Sequence, residues 1–162
     1  MNVTMKTTLH SIQLNQKPVL ENLLQYYFYD FSEFNSADVT ETGKFGDYPY
    51  THLYWEEEGR YPYFIYYDEK LAGFALVSKE KSEGNNYFSI SEFFVLKKFR
   101  RLGVGREAAI TAFSEHRGEW EVFQMASNQP AQKFWRRVIH EFTNGEYVEK
   151  VDEKRVTQLF KS

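Results

Sequence analysis

Two sets of residues in this 162-residue chain have the types and spacing for chemistry. The first is the turn Phe99-Arg100-Arg101-Leu102-Gly103-Val104-Gly105-Arg106-Glu107-Ala108. Glycines let backbone N–H groups approach a ligand closely, and the start of a following helix carries a positive partial charge, so such a turn is built to hold a phosphate. Arg100, Arg101 and Arg106 would add charge-assisted hydrogen bonds. Arg106 is itself a cation in the first turn of that helix, a placement unfavourable by a few tenths to ~1 kcal/mol, which a bound anion would reverse. The second is Glu92, the only acid in residues 88–96. Flanked by Ile90, Phe93 and Phe94, its carboxyl is expected to be partly desolvated and its pKa raised towards that of a general base. A solvated or salt-bridged strand glutamate is the plainer alternative.

These groups need a strand leading into the turn and a helix leading out. Residues 90–96 are an extended apolar run and residues 104–116 read as a helix, with Gly118 placed to end it. Upstream, residues 3–12 alternate weakly. Residues 18–34 carry Val19, Leu20, Leu23, Leu24, Tyr27 and Phe31 at helical spacing, and residues 35–60 read as loop. Strands are expected at 61–67, 71–79 and 87–96, with turns at 68–70 and 82–86. Downstream come a strand at 120–126, a helix capped by Asn128 that tolerates Pro130 and runs to about residue 139, and two short strands at 141–148 and 155–160 with Gly145 between them. The expected order is β-α-β-β-β-α-β-α-β-β in a single domain spanning 1–162.

Composition narrows the function classes. Net charge is −3, which disfavours nucleic acid. Lys97, Lys98, Arg100, Arg101 and Arg106 nevertheless place five cations and no acid in residues 97–106, leaving −8 for the rest. A local basic spot on an acidic body suits a small polyanion. With no cysteine and four scattered histidines, neither a thiol nucleophile nor a metal site is expected. No run approaches the ~18 apolar residues of a membrane span, and no signal peptide is evident, so a cytoplasmic protein with no membrane partner is the expectation.

Three readings of the glycine turn compete. Residues 103–108 fit the dinucleotide fingerprint G-x-G-x-x-A, but the next strand ends Phe123-Gln124-Met125, without the acid that would hold a ribose. The glycines could serve only a tight turn, or the turn could cradle a pyrophosphate. Arg100-Arg101-Leu102-Gly103-Val104-Gly105 resembles the R/Q-x-x-G-x-G/A signature of the GNAT superfamily of N-acetyltransferases, and Asn128-Gln129-Pro130-Ala131-Gln132-Lys133-Phe134-Trp135 is similar to that family's later N-x-x-A-x-x-(apolar)-Y pattern. The element order also matches, from about residue 61 to 160.

The resemblance implies an α/β fold of α+β type: a mixed, mostly antiparallel sheet of six or seven strands flanked by helices, its fourth and fifth strands splayed into a cofactor slot. It implies acetyl-CoA as acyl donor, with residues 101–106 (Arg101, Leu102, Gly103, Val104, Gly105, Arg106) on the pyrophosphate and Arg100 at the motif's first position. The backbone of Phe93, Phe94 and Val95 would pair with the pantetheine arm and polarise the thioester, and Asn128 would hydrogen-bond the pantetheine. Glu92 matches a position where the family often places a base acting through water. One departure stands out: Trp135 occupies the place of a tyrosine that commonly protonates the departing thiolate, and an indole N–H is no acid at neutral pH. Trp135 is therefore read as packing against the slot. The acceptor implied is a small-molecule or peptide amine; the carboxylates and aromatics of residues 48–60 would suit a cationic one, a solvated acidic turn being the plainer reading of that segment. A homodimer is compatible with the resemblance. The rival reading is a non-catalytic acyl-CoA-binding or sensing module.

Overall fold

A computed structural model describes residues 6–162. Positions 3–5 of the expected first strand lie outside the described residues. A seven-stranded sheet, in the order β1-β2-β3-β4-β5-β7-β6, forms the middle layer. Its strands are β1 (Thr7–Ser11), β2 (Arg60–Tyr67), β3 (Lys70–Ser82), β4 (Asn85–Val95), β5 (Glu119–Met125), β6 (Val148–Val151) and β7 (Arg155–Lys161). Every pairing is antiparallel except β4 with β5. The helices are α1 (Lys17–Asn35), α2 (Leu53–Glu56), α3 (Val104–Glu115) and α4 (Gln129–Thr143). This is the mixed, mostly antiparallel sheet with flanking helices that the motifs imply. Among the described residues, no helix is long and apolar enough to cross a membrane.

Two apolar layers sandwich the sheet. On one face, Leu20, Leu23 and Leu24 of α1 and Tyr54 of α2 pack on Phe64, Phe74, Leu76 and Phe94. On the other, Ala109, Ala112 and Phe113 of α3 and Trp135, Val138 and Ile139 of α4 pack on Val77, Ile90, Trp120, Val122 and Phe160. The β2–β3 hairpin turns at Asp68 and Glu69, both at positive φ (49° and 63°), as a two-residue turn matching strand twist requires.

Two differences from the sequence reading change which elements form. Residues 141–143 belong to α4, not to a strand. Phe142 continues the helix's apolar stripe, its ring 5.3 Å from that of Phe113 and 6.3 Å from that of Phe160. Gly145 (φ 83°) follows the left-handed cap Asn144 and closes the helix instead of separating two strands. Within the expected 35–60 loop, Leu53–Glu56 forms one helical turn that buries Tyr54.

The feature that shapes the site is a β-bulge in β4. Leu76 of β3 pairs with Glu92, but its neighbour Val77 pairs with Ile90, so Ser91 is the extra residue. A one-residue insertion switches the faces of all residues beyond it. Ile90 therefore packs on the α3–α4 side, while Glu92 and Phe94 turn to the α1 side. The Ser91 hydroxyl pairs with that of Ser78 across the strands (2.9 Å).

Candidate active site

β4 and β5 are bridged at one register pair, Phe88 with Trp120, and diverge beyond it. The wedge is a cleft of about 770 Å³. β4 lines it from Ile90 to Val95, β5 from Val122 to Met125, α1 with Tyr27 to Phe31, and the turn into α3 with Gly103 to Arg106. Asn128, Phe134 and Trp135 of the α4 region complete the wall. Glu92, Phe93, Phe94, Val95, Arg100, Arg101, Gly103, Val104, Gly105, Arg106, Asn128 and Trp135 thus share one cavity. Leu102 is the exception: its side chain is 51% exposed and absent from the lining, so only its backbone belongs to the turn.

The turn is shaped by left-handed backbone at Arg101 (φ 63°) and Gly103 (φ 81°). Gly105 is glycine for another reason: a Cβ there would stand 3.2 Å from the Phe134 ring and 3.6 Å from Val95 Cγ2. Close packing of α3 on β4 and α4 leaves little space, and even a methyl group would push the Phe134 ring by a few tenths of an ångström. Among the described residues, the amides of residues 101–106 make no intramolecular hydrogen bond. Unsatisfied donors at a helix start that lines a cleft are an anion-binding arrangement.

The arginines do not behave alike. Arg100 donates from Nε to Val95 O (2.8 Å) and from Nη2 to Asp30 Oδ2 (2.8 Å), tying the end of β4 to α1. Arg106 donates from Nε to Glu141 Oε2 (2.7 Å) and from Nη2 to Glu141 Oε1. This corrects the argument that Arg106 needs a bound anion, because Glu141 of α4 already offsets the cation at the start of α3. Both partners of that pair are well exposed, so it adds little stability. Arg101, exposed at the rim, has no carboxylate partner among the described residues.

Asn128 caps α4, its Oδ1 accepting from Ala131 N (3.1 Å), while its Nδ2 has no protein partner among the described residues. Trp135 is 6% exposed, with its ring centroid 5.0 Å from Phe93 and 4.9 Å from Phe134. It is a packed wall of the cleft. Trp135→Phe is expected to lower Tm by roughly 2–8 °C, as for the loss of ~1–2 kcal/mol of packing. The same variant should leave turnover within about threefold, because no acid is removed. Thermal melts and steady-state rates on the same preparation check both.

Glu92 is the carboxylate that β4 contributes to the cleft. Tyr27 Oη of α1 donates to its Oε2 (2.5 Å), and the Tyr48 phenol feels its charge. Burial is the dominant influence and raises the carboxyl from 4.5 to about 6, the two tyrosine hydroxyls pulling the other way. Burial, followed by the Glu92 charge, holds both phenols above their ordinary value, so they remain donors. A carboxyl whose pKa lies near 6 is ionised at neutral pH and can accept a proton there. Sequence reasoning placed Tyr27 in the core stripe of α1 and Tyr48 in an acceptor-side loop. Their shared signal was an aromatic with a polar tip, which buried sites use for a hydrogen bond.

The acetyltransferase (GNAT) family profile matches residues 23–140. Solved structures share the fold. An acetyltransferase from Thermus thermophilus aligns over 98% of each chain at TM-score 0.70 and 11% identity. RimL, a ribosomal L7/L12 alpha-N-protein acetyltransferase in complex with coenzyme A, aligns over 99% of this chain and 96% of its own at TM-score 0.66 and 10% identity. An aminoglycoside acetyltransferase from an uncultured soil metagenomic sample aligns over 85% of this chain and 90% of its own at TM-score 0.58 and 14% identity. No curated protein matches by sequence.

Proposed function

The chain belongs to the GNAT acetyltransferase family, and from that premise we propose that it transfers an acetyl group from acetyl-CoA to an amine by direct attack, with Glu92 as general base. The observation that carries the reading is Glu92 itself, raised to about 6 and hydrogen-bonded inside the cleft whose far end is the amide-lined turn.

The cleft's own donors suit acetyl-CoA. Unpaired amides at residues 101–106, with Arg101 beside them, match a pyrophosphate. The edge of β4 that β5 leaves free, at Phe93, Phe94 and Val95, offers backbone groups to an amide-bearing arm, and Asn128 keeps Nδ2 for the same purpose. When bound, acetyl-CoA supplies the activated acyl group; the protein positions it and moves one proton. An alkyl ammonium has pKa near ~10.4 and must lose a proton before its nitrogen can attack. Glu92 takes that proton, directly or through water. With Trp135 in the wall, water serves the leaving sulfur, and a thiol of pKa near ~8.5 needs little assistance.

The acceptor side is acidic. Residues 21–58 hold nine carboxylates and one lysine, Lys44. That field favours a cationic acceptor. Two fold neighbours are named for a protein α-amine and for an aminoglycoside, which supports a basic amine on a peptide or small molecule as acceptor.

Acetyl-CoA at 100 times its Kd is expected to stabilise the protein by about 2.7 kcal/mol, a Tm rise of roughly 5–10 °C, and NAD should have no effect. Arg101→Glu should remove most of the shift. An equal response to NAD, or none to acetyl-CoA, would overturn the reading. The rival, a non-catalytic acyl-CoA-binding module, draws its support from Trp135. Thiol release from acetyl-CoA across a panel of amines separates the two: amine-dependent release belongs to the enzyme alone.

A further inference from the structure

The apolar stripe of α1 changes character halfway along the helix. Leu20, Leu23 and Leu24 are sealed against the sheet, whereas every residue of α1 beyond Leu24 keeps some exposure. The stripe nevertheless continues as Tyr27, Phe31 and Phe34, all of which line the cleft. Their rings follow one another at 5.5 Å and 6.2 Å. The wedge explains the change: here α1 crosses the gap between β4 and β5 instead of lying on paired strands. It is tied to both sides of that gap. Tyr27 Oη donates to Glu92 on β4 (2.5 Å), and Ser127 Oγ, in the loop after β5, donates to Phe34 O (3.3 Å).

β5 supplies the facing ring. Val122 belongs to the α3–α4 layer, so its neighbour Phe123 faces the α1 side of the sheet. Phe123 lines the same cleft and is 45% exposed. The Arg155 guanidinium stands over its ring, 5.2 Å from the centroid. Phe31, Phe34 and Phe123 thus border an open apolar slot, and the hydrogen-bonded carboxylate of Glu92 shares its cleft.

We propose that this slot is the acceptor site and that it selects a primary amine of single positive charge, joined by a short alkyl chain to an aromatic ring, with the ammonium at Glu92 and the ring among Phe31, Phe34 and Phe123. The proposal rests on the acetyltransferase reading and narrows its substrate class.

Charge, shape and size support it. Glu92 complements one ammonium. A second ammonium further along the acceptor would meet the three rings and the Arg155 guanidinium; of the α1 carboxylates in the cleft, Asp30 is already paired with Arg100 (2.8 Å), and Glu33 is exposed to solvent. An aromatic group gains over an alkyl group of similar area, because rings pack edge-on or offset against rings. The cleft of about 770 Å³ must also hold the pantetheine arm, which suits a small molecule better than a peptide chain.

The test measures thiol release from acetyl-CoA by the full chain with 2-phenylethylamine, hexylamine, 1,4-diaminobutane and an alanine-initiated peptide. kcat/KM for 2-phenylethylamine is expected to exceed that for hexylamine by about 2–10-fold, the range of a ring–ring contact. It should exceed that for the diamine and the peptide by about tenfold or more. Phe123→Ala removes a ring that is largely in solvent, so the fold is kept; KM for 2-phenylethylamine should rise by about tenfold while acetyl-CoA affinity is unchanged. Phe31→Leu keeps an apolar helix former and should erase the preference for the ring over the hexyl chain. A kcat/KM for 2-phenylethylamine no higher than for the other amines, or an unchanged KM in Phe123→Ala, would overturn the proposal and leave the acetyltransferase reading standing. Release with none of the amines overturns that reading instead, and the slot is then judged by binding alone. NMR saturation transfer from the CoA-loaded chain to the ring protons of 2-phenylethylamine is expected in wild type and should be lost in Phe123→Ala. No transfer, or equal transfer in the variant, overturns the proposal.

Discussion

Glu92→Gln is expected to lower amine acetylation at pH 7 by about 10²–10⁴-fold, the usual contribution of a positioned general base, while acetyl-CoA affinity stays within about twofold. The amide keeps the side chain's shape and an oxygen for Tyr27 Oη, so what is lost is the ability to take a proton. The wild-type rate should fall on the acid side through about pH 6, where the carboxyl becomes protonated. In the variant that limb should vanish. Stability should move the opposite way. Burial raises this carboxyl from 4.5 to about 6, so the folded chain binds the proton more tightly than the unfolded chain. The group's contribution is therefore most favourable below about pH 4.5 and declines as pH rises to about 6, by about 2 kcal/mol at most. A glutamine carries no such penalty. Glu92→Gln should therefore melt higher than wild type at pH 8 while being nearly inactive, the pattern of a residue retained for chemistry at a cost in stability. Rate profiles from pH 5 to 9 and melts at pH 5 and 8 check both. A variant that keeps the acid limb, or melts lower at pH 8, would remove Glu92 as the base.

The parts of the site that were legible in the sequence are those encoded locally. Glycines at 103 and 105, between an apolar run and a helical one, gave the turn; Asn128 ahead of Pro130 gave a helix start; the stripe from Leu20 to Phe31 gave α1. The parts that were not legible depend on partners distant in the chain. The bulge at Ser91 exists only relative to the pairing of Leu76 and Val77 on β3, and without it the face occupied by Glu92 cannot be assigned. Tyr27 meets Glu92 through the packing of α1 on the sheet. Arg106 shows how a local argument can mislead. A cation at a helix start called for an anion, and the anion it found is Glu141, on a different helix. The strand expected at 141–148 failed for a related reason: Phe142 has an apolar partner in Phe113, which extends α4 by one more turn.

Gly73→Ala is expected to be among the most damaging single substitutions in the protein, although position 73 lies on β3 and lines no part of the cleft. A Cβ built there stands 1.9 Å from Phe94 O, 2.9 Å from Phe94 C and 3.0 Å from Val95 Cα. All three are backbone atoms of the neighbouring strand, so no rotamer change relieves the contact. β3 is pinned from both sides at this point: Gly73 pairs with Ile65 on β2, beside an irregularity in that ladder, and with Val95 on β4. The next contact along, Leu96 N to Ala72 O at 2.8 Å, holds the end of β4 against β3. A methyl group must therefore push the Phe94–Val95 backbone outward. Overpacking of this kind costs typically ~1–3 kcal/mol and more when only backbone can yield, so Tm should fall by roughly 5–10 °C. The displaced segment carries the free strand edge proposed to bind the pantetheine arm, and it also anchors Arg100 through Val95 O. Acetyl-CoA affinity should fall by about tenfold or more even at temperatures where the variant is folded, since ~1.4 kcal/mol of lost fit corresponds to tenfold. Melting curves and acetyl-CoA titrations of Gly73→Ala at about 15 °C, near the usual stability maximum, would decide it. A wild-type Tm would show that the strands yield at no cost, and a lowered Tm with unchanged affinity would detach the end of β4 from cofactor binding.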